Sequence, residues 1–345
     1  MTTKSWSSIA LLCMTYGTLA AQNNAGTEAK PFEHLDVSVS AGSTGVGLEL
    51  GSNISNNVKL RVGFSTMPRW TDDMKFGVQV GDTPESKYDA NGNRVETKFD
   101  RLQKRMKELT GFDVDEVIHM EAKPKFYNFQ LLVDIMPFAN KHWHLTGGFY
   151  WGNSTLADAV VSRDDMTTML AVGMYNNMYG KAMNQEPFVT VNGVDVYNDD
   201  LSEKLTRYGR MKYRIGEMKE TGEPCYAEPD ENGIIKAEAV VNNFKPYLGF
   251  GYDGRLGKED GGWKIGFDAG MLFYGGKPHV YTMRTVEQTT TDPVSGATQY
   301  SFTRERVDLA RDVTNYRPNI KGKMNLIKAM VVFPVLNVKI TKTLF

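Results

Sequence analysis

Apolar and polar residues alternate with a period of two along several stretches of the chain. In the clearest stretch, WKIGFDAGMLFY (263–274), every odd position is apolar and the first four even positions are small or charged. A period of two is that of a β-strand, whose successive side chains point to opposite faces. The alternation predicts eight strands: 35–42, 44–51, 57–65, 126–136, 143–151, 245–253, 263–274 and 334–345.

The strand lengths and the connections favour a closed sheet in a membrane. Several strands approach the roughly 9 to 11 residues of a tilted spanning strand, and an even number of antiparallel strands can close without a free edge. Short connections (52–57 and 137–142) alternate with long insertions (67–125, 153–243 and 275–332). The predicted fold class is all-β, a closed antiparallel transmembrane β-barrel whose long extracellular loops contain short helices. We expect eight strands, or ten to twelve if arms of the insertions join the wall.

The N-terminus predicts export. Lys4 precedes a short apolar run, and small residues follow at positions 20 and 21. This order is typical of a signal peptide that is cleaved after the small residues. We therefore expect a signal peptide at 1–21.

The predicted mature chain has a simple organisation. A polar, flexible leader is expected at 22–33, and a single barrel domain with its insertions at 34–345. After cleavage Cys225 is the remaining cysteine, so no internal disulfide can form. Stability must then come from the sheet itself.

Composition narrows the class of partner. The net charge of -1 and the pI near 6.5 give no attraction to a bulk polyanion, so no nucleic-acid partner is expected. The mean hydropathy of -0.39 argues against a membrane bundle of helices. It is compatible with a barrel, which exposes only alternate residues to lipid.

Acidic and basic residues are balanced on the polar faces of the predicted strands. An eight-stranded barrel is only wide enough for its own side chains, and a dry interior tolerates charges only when they are paired. We therefore predict a closed, salt-bridged lumen rather than an open pore, although the same residues would also suit a sheet face that meets water. The predicted lumen charges are Asp36, Glu49, Asp134 and Asp268 on the acidic side, and Lys59, Arg61, Lys264 and Lys339 on the basic side.

Bulky aromatic residues stand near the ends of the predicted strands. Trp143, Trp151, Trp263 and Phe273 are predicted to form an aromatic belt at the membrane interfaces. His142 and His144 flank Trp143, and the same interfacial position accounts for both of them.

Catalytic and metal-binding signatures are weak. The chain has no Gly-x-Ser-x-Gly elbow, no HExxH and no phosphate loop, so we assign no catalytic, cofactor-binding or metal-binding residue and expect no cofactor. Asp89, Asn91 and Asn93 have a calcium-like spacing, but the glycine is misplaced and a plain turn explains them. The remaining enzymatic alternative is a barrel that modifies lipid A.

Two blocks and the last residue carry a resemblance to a known class. The combination of PYLGFGYD (246–253), GWKIGFDAGMLFYGGKP (262–278) and the terminal Phe345 resembles a poorly characterised group of outer-membrane proteins with such blocks. The strands as a whole resemble the small outer-membrane β-barrel proteins of Gram-negative bacteria, OmpA-like or OmpW-like in architecture. The resemblance implies an outer-membrane location, contact with outer-membrane lipid and lipopolysaccharide, and insertion by the barrel-assembly machinery, for which Phe345 resembles the signal. The apolar positions of the last strand are out of phase with Phe345, and a bulge near Thr341 would correct this.

Three functions fit these observations. The first is an outer-membrane barrel whose structural or surface-binding role is carried by its long loops. The second is transport of a small or amphipathic solute across the outer membrane, and the third is binding by a secreted soluble β-barrel or sandwich. The balanced interior argues against free diffusion through the lumen.

Overall fold

The computed structural model describes residues 31–82, 84–257 and 262–344. The predicted signal peptide, most of the predicted leader and Phe345 lie outside these residues. In chain order the strands are β1 (Asp36–Gly42), β2 (Gly45–Ser55), β3 (Val58–Thr66), β4 (Asp72–Gly77), β5 (Gln79–Val80), β6 (Val117–Pro124), β7 (Tyr127–Ile135), β8 (Trp143–Gly152), β9 (Thr155–Val161), β10 (Val189–Val191), β11 (Val194–Val196), β12 (Met211–Met218), β13 (Pro224–Ala227), β14 (Lys236–Val240), β15 (Phe244–Arg255), β16 (Trp263–Phe273), β17 (His279–Thr291), β18 (Thr298–Asp308), β19 (Val313–Thr314) and β20 (Val332–Thr343). The helices are α1 (Lys98–Thr110), α2 (Met166–Met183), α3 (Asp199–Tyr208), α4 (Leu309–Asp312) and α5 (Pro318–Ala329), with a 3-10 turn at Arg163–Asp165.

Eight strands close into one antiparallel barrel in the order β1-β2-β3-β7-β8-β15-β16-β20, with β20 paired back on β1. They correspond to the eight strands that the alternation predicts, so the predicted fold class is confirmed. Within the described ranges no other strand joins this wall, and the alternative of ten to twelve strands is wrong. Burial follows the alternation, since the even-numbered residues of β7 are buried and its odd-numbered residues are exposed or half-buried.

The last strand is regular. β20 pairs with β16 in unbroken register from Val332 to Lys342, so the bulge predicted near Thr341 is wrong. Thr341 faces the lumen, where its hydroxyl shares a 2.7 Å hydrogen bond with Ser38. Lys342 therefore faces outward, where its ammonium lies 5.2 Å from the centre of the Trp263 ring. This cation–π contact holds the charge at the barrel rim.

The connections at the two ends of the barrel differ in length. At one end, the short-turn end, they are residues 56–57, 136–142 and 256–262. At the other end lie the turn 43–44 and the three long insertions. We call the strands and helices of these insertions the cap: residues 67–126, 153–243 and 274–331.

The main sheet of the cap extends the barrel wall. It has six strands in the order β18-β17-β14-β9-β6-β4. β6 leads directly into β7, β8 into β9, β14 into β15, and β16 into β17. The cap strands β6, β9, β14 and β17 are therefore neighbours in the same order as the barrel strands β7, β8, β15 and β16. This half of the barrel wall continues into the cap as an open sheet.

A second layer packs on this sheet. It contains β12, paired with β13, β19 and β5, together with the helices. The core between the layers draws completely buried residues from distant parts of the chain: Val114, Ile118, Met169, Val172, Met211 and Cys225. Helix α1 begins with a capping box in which the Thr97 side chain accepts from the Asp100 amide and the Asp100 side chain accepts from the Thr97 amide. The cap is thus a folded unit rather than a set of independent loops.

The reactivity of Cys225 provides a test of whether the cap is folded. The thiol is completely buried on β13, and burial raises its pKa from 9.0 to about 11. Since the thiolate is the reactive form, the reactive fraction at pH 8 falls by roughly 100-fold for two pKa units. We expect iodoacetamide to label Cys225 far more slowly in the folded protein than in urea, as measured by mass spectrometry of the Cys225 peptide.

The contribution of Cys225 to the stability of the fold is expected to decrease at alkaline pH. Because the folded pKa lies above the unfolded one, the thiol's contribution to stability is complete below pH 9 and is lost as the pH rises toward about 11. Equal labelling rates in buffer and in urea at pH 8 would contradict a folded cap.

Candidate functional site

Arg61, on β3, is the centre of the charge network inside the barrel. Its Nη1 lies 2.9 Å from Glu49 Oε2 and 2.9 Å from Asp268 Oδ2, and its Nε lies 2.8 Å from Asp134 Oδ2. The Thr146 hydroxyl donates to the other oxygen of Asp134 at 2.7 Å. Arg61 is 2% exposed, and a guanidinium this deeply buried is stable only with its charge and its donors satisfied. Three carboxylates from three other strands balance the charge, and they accept hydrogen bonds from Nη1 and Nη2, whereas Nε has only the ion-pair contact.

Lys339 and His144 extend the network. Lys339 Nζ lies 3.1 Å from Asp253 Oδ1 and 3.5 Å from Asp268 Oδ2. His144 is buried, with Nε2 3.0 Å from Asp268 Oδ1. The interfacial position predicted for His144 is therefore wrong, because alternation turns His144 inward when Trp143 faces outward.

A second pair of cations lies closer to the short turns. Lys59 Nζ is 2.5 Å from Asp36 Oδ2, and Lys264 Nζ is 3.4 Å from the same oxygen. The Thr343 hydroxyl donates to the other Asp36 oxygen at 2.5 Å. One carboxylate at this end therefore serves two ammonium groups and a hydroxyl.

All eight residues predicted as lumen charges face the inside of the wall, and each takes part in at least one of these ion pairs. The prediction missed Asp253 and Lys245, which share the inward face of β15, and His144 on β8. The signal was present, since Lys245 and Asp253 have the same odd parity as the glycines of PYLGFGYD. Counting the buried and half-buried side chains in the described wall, five carboxylates face five cations, so the lumen is neutral apart from His144.

Aromatic and aliphatic side chains fill the half of the barrel next to the cap. This cluster, which we call the plug, consists of Phe126, Leu132, Tyr150, Tyr247, Leu272 and Val335, all buried. Gly249 and Gly270 face each other across β15 and β16 beside the Tyr247 ring. A Cβ at Gly249 would stand 2.3 Å from the Tyr247 hydroxyl oxygen, so glycine there makes room for the ring.

The outer wall is apolar. Bulky residues are exposed on every barrel strand, among them Val39, Leu48, Phe64, Phe129, Leu145, Leu248, Phe250, Ile265, Met271, Leu336 and Val338. A soluble barrel would bury such residues, whereas a barrel in lipid exposes them. The secreted soluble binder predicted as an alternative is therefore contradicted by this wall.

The four predicted belt residues face outward at the two ends of the wall. Trp143 and Trp263 lie at the short-turn end, and Trp151 and Phe273 lie next to the cap. Trp143 and Trp151 are eight residues apart on β8, which is about 26 Å along a strand and about 20 Å across the membrane at a tilt near 40°. This height is close to the roughly 25 Å apolar band of such barrels. The protein is an integral outer-membrane β-barrel.

Comparison with known proteins gives only distant likenesses. No family model and no curated protein matches the chain. The crystal structure of Acinetobacter baumannii CarO2 is similar with a TM-score of 0.37 and 11% identity, covering 91% of this chain and 100% of that one. A. baumannii CarO gives 0.35 and 12%, covering 92% and 99%. A major outer membrane protein from Thermus thermophilus gives 0.26 and 13%, covering 90% and 98%. The assignment of the barrel rests on its strand pairing and its outer wall, not on these superpositions.

A half-open apolar cavity of about 140 Å³ lies in the cap between the six-stranded sheet and helix α5. Its floor is made of alanines that pair across three strands, in one row Ala122, Ala159 and Ala237 and in the next Ala157 and Ala239. Its roof is formed by Ile320, Met324 and Ile327 of α5. Larger side chains at the alanine positions would fill this space.

A second concavity is polar. It has a volume of about 890 Å³ and lies along helix α2 beside β18. Arg210 stacks 4.0 Å from the centre of the Phe302 ring and pairs with Glu228. Because Arg210 is already paired with a carboxylate, this groove offers both signs of charge rather than a specific anion site.

The potential metal ligands of the described ranges do not cluster. No group of three or more His, Cys, Asp or Glu side chains is placed to hold a metal ion there. Asp89 accepts hydrogen bonds from the amides of Asn91 and Asn93, so these residues form a polar turn. Among the described helices, none is sufficiently long and apolar to cross a membrane.

Proposed function

We propose that the protein is a non-conducting outer-membrane barrel that anchors the cap at the cell surface, where the cap binds a ligand or partner. In barrels of this class the long loops are extracellular and the short turns periplasmic. The cap is built entirely from the long-loop end. On this proposal the role is binding rather than catalysis.

The filled lumen is the observation that carries the proposal. Arg61 in the short-turn half, and Tyr150 and Leu272 in the half next to the cap, are each no more than 2% exposed to water. Free diffusion of a solute needs a continuous water path, and an eight-stranded barrel packed with such side chains leaves none. The packing supports anchoring over transport through the lumen.

The proposal includes the surroundings of the barrel. We expect the outer wall to contact outer-membrane lipid, with lipopolysaccharide at the rim next to the cap. Insertion by the barrel-assembly machinery through Phe345 is part of the same proposal, and Phe345 lies outside the described residues.

Conductance in planar lipid bilayers tests the proposal. The folded protein, reconstituted and shown by its gel mobility shift to be inserted, is expected to give no stepwise current in molar potassium chloride. The reason is that charged and aromatic side chains fill the lumen. Reproducible current steps from the wild-type protein would overturn the anchoring role and favour transport.

A further inference from the structure

The cavity under helix α5 has the properties of a binding site for an apolar molecule. Twenty-two residues line it, and nearly all the side chains facing it are aliphatic, aromatic or methionine. None of the buried polar atoms that lack a hydrogen-bond partner in the described chain belongs to a lining residue. A water molecule needs two to four polar partners, so water would be held poorly there.

The floor of the cavity is built to stay open. Alternate positions of β9 and β14 are alanine, in TLADAVV (155–161) and KAEAV (236–240). The register places these alanines side by side, with Ala159 opposite Ala237 and Ala157 opposite Ala239. Any larger aliphatic residue at these positions would fill the gap beneath Ile320 and Met324.

The border of the cavity contains one charged pair at the surface. Lys323 lines the cavity, and its Nζ lies 2.5 Å from Asp72 Oδ2. Both side chains are half-exposed. A ligand with a polar end could therefore keep that end beside Lys323 in water, while its apolar part lies over the alanines.

We propose that this cavity binds an uncharged apolar molecule of about the size of a benzene ring, or the apolar end of an amphipathic one. An enclosed apolar cavity of nearly this volume in another protein stays dry and binds benzene. The cavity here is half-open, so it also leaves a path by which a ligand can enter. The inference rests on the proposed binding role of the cap and gives its ligand a chemical class. It does not depend on whether the lumen conducts.

Methionine methyl groups provide the test. Met74, Met120 and Met324 line the cavity, whereas Met174 is exposed on the cap and Met271 faces lipid. The methionine methyl groups of the full-length protein are labelled with carbon-13, and the protein is placed in detergent. It is then titrated with benzene and, separately, with octanoate, while the NMR signals of the methyl groups are recorded. We expect saturable shifts of the three cavity methyl groups. Met174 and Met271 are expected to show only the weak, linear changes that follow partitioning into detergent.

Two matched variants complete the test. Ala159→Leu places a larger side chain in the cavity and is expected to abolish the saturable shifts, while Ala41→Leu places the same side chain on the lipid-facing side of β1 and is expected to preserve them. If Ala159→Leu fails to fold, Ala237→Val replaces it. Saturation with octanoate would identify a chain-like ligand, and saturation with benzene alone a compact one.

Other outcomes would overturn the site. These are cavity methyl groups that move only in parallel with Met271, or saturable shifts that persist unchanged in a folded filling variant. The conductance experiment tests whether the lumen is closed, whereas this experiment tests whether the cap cavity binds a ligand. A negative result for the cavity is therefore distinguishable from a negative result for the anchoring role.

Discussion

Replacing Arg61 with methionine is expected to destabilise the barrel by roughly 3–5 kcal/mol, the usual cost of removing one partner from a buried ion cluster. The guanidinium contacts Glu49, Asp134 and Asp268 at 2.8–2.9 Å. Without it, these carboxylates face one another in a lumen whose remaining cations are Lys339 and more distant lysines. The measurement is the urea concentration at which the folded, fast-migrating gel band is lost.

Arg105→Met is the matched control. Arg105 lies on helix α1 of the cap, its side chain is 67% exposed, and it pairs with Glu108 at 3.3 Å. An exposed pair of this kind contributes little, so the change should stay within about 0.5 kcal/mol. If Arg61→Met and Arg105→Met unfold at the same urea concentration, the charge network does not hold the lumen together.

A charge placed on the outer wall is expected to have the next largest effect. Leu248 is 64% exposed near the middle of β15, between the two ends of the wall. Leu248→Arg should destabilise the barrel in lipid by roughly 2–4 kcal/mol, because the midplane of a bilayer cannot solvate a guanidinium. The free energy of unfolding in urea, measured in lipid vesicles, checks this value.

Val294→Arg provides the comparison for this substitution. Val294 lies at the tip of the β17–β18 hairpin of the cap and is 94% exposed. The same side chain there should change the free energy of unfolding by less than about 0.5 kcal/mol. If Leu248→Arg and Val294→Arg change the free energy of unfolding equally little, the outer wall at position 248 is in contact with water rather than lipid.

The barrel was predictable because the alternation that defines each strand is visible in the sequence of that strand alone. Alternation within β7, β8 and β16 gives both the strand and the face that each residue occupies, and no knowledge of the partners is needed. The lumen charges follow from the same parity. By the same parity, Lys245 and Asp253 could have been predicted as lumen charges, and His144 could have been predicted to face the lumen.

The rest depends on pairing between distant residues. That Arg61 meets three acids from β2, β7 and β16 is set by the stagger of eight strands, which no single strand encodes. The cap is still less predictable, because β6 comes from one insertion and β9 and β14 from opposite ends of another. These strands continue the wall only after the barrel has brought β7, β8 and β15 together. The alanine alternation at 155–161 and 236–240 was visible, but a stripe of small residues does not reveal what lies opposite.

The location of the closed barrel is the claim on which the rest depends, and one measurement tests it directly. The full chain is expressed, the outer membranes are isolated, and the protein is run on a gel with and without boiling. We expect the protein in the outer-membrane fraction, with a fast band that shifts to the mobility of the unfolded chain only on boiling. A soluble periplasmic protein whose mobility does not change on boiling would contradict the account.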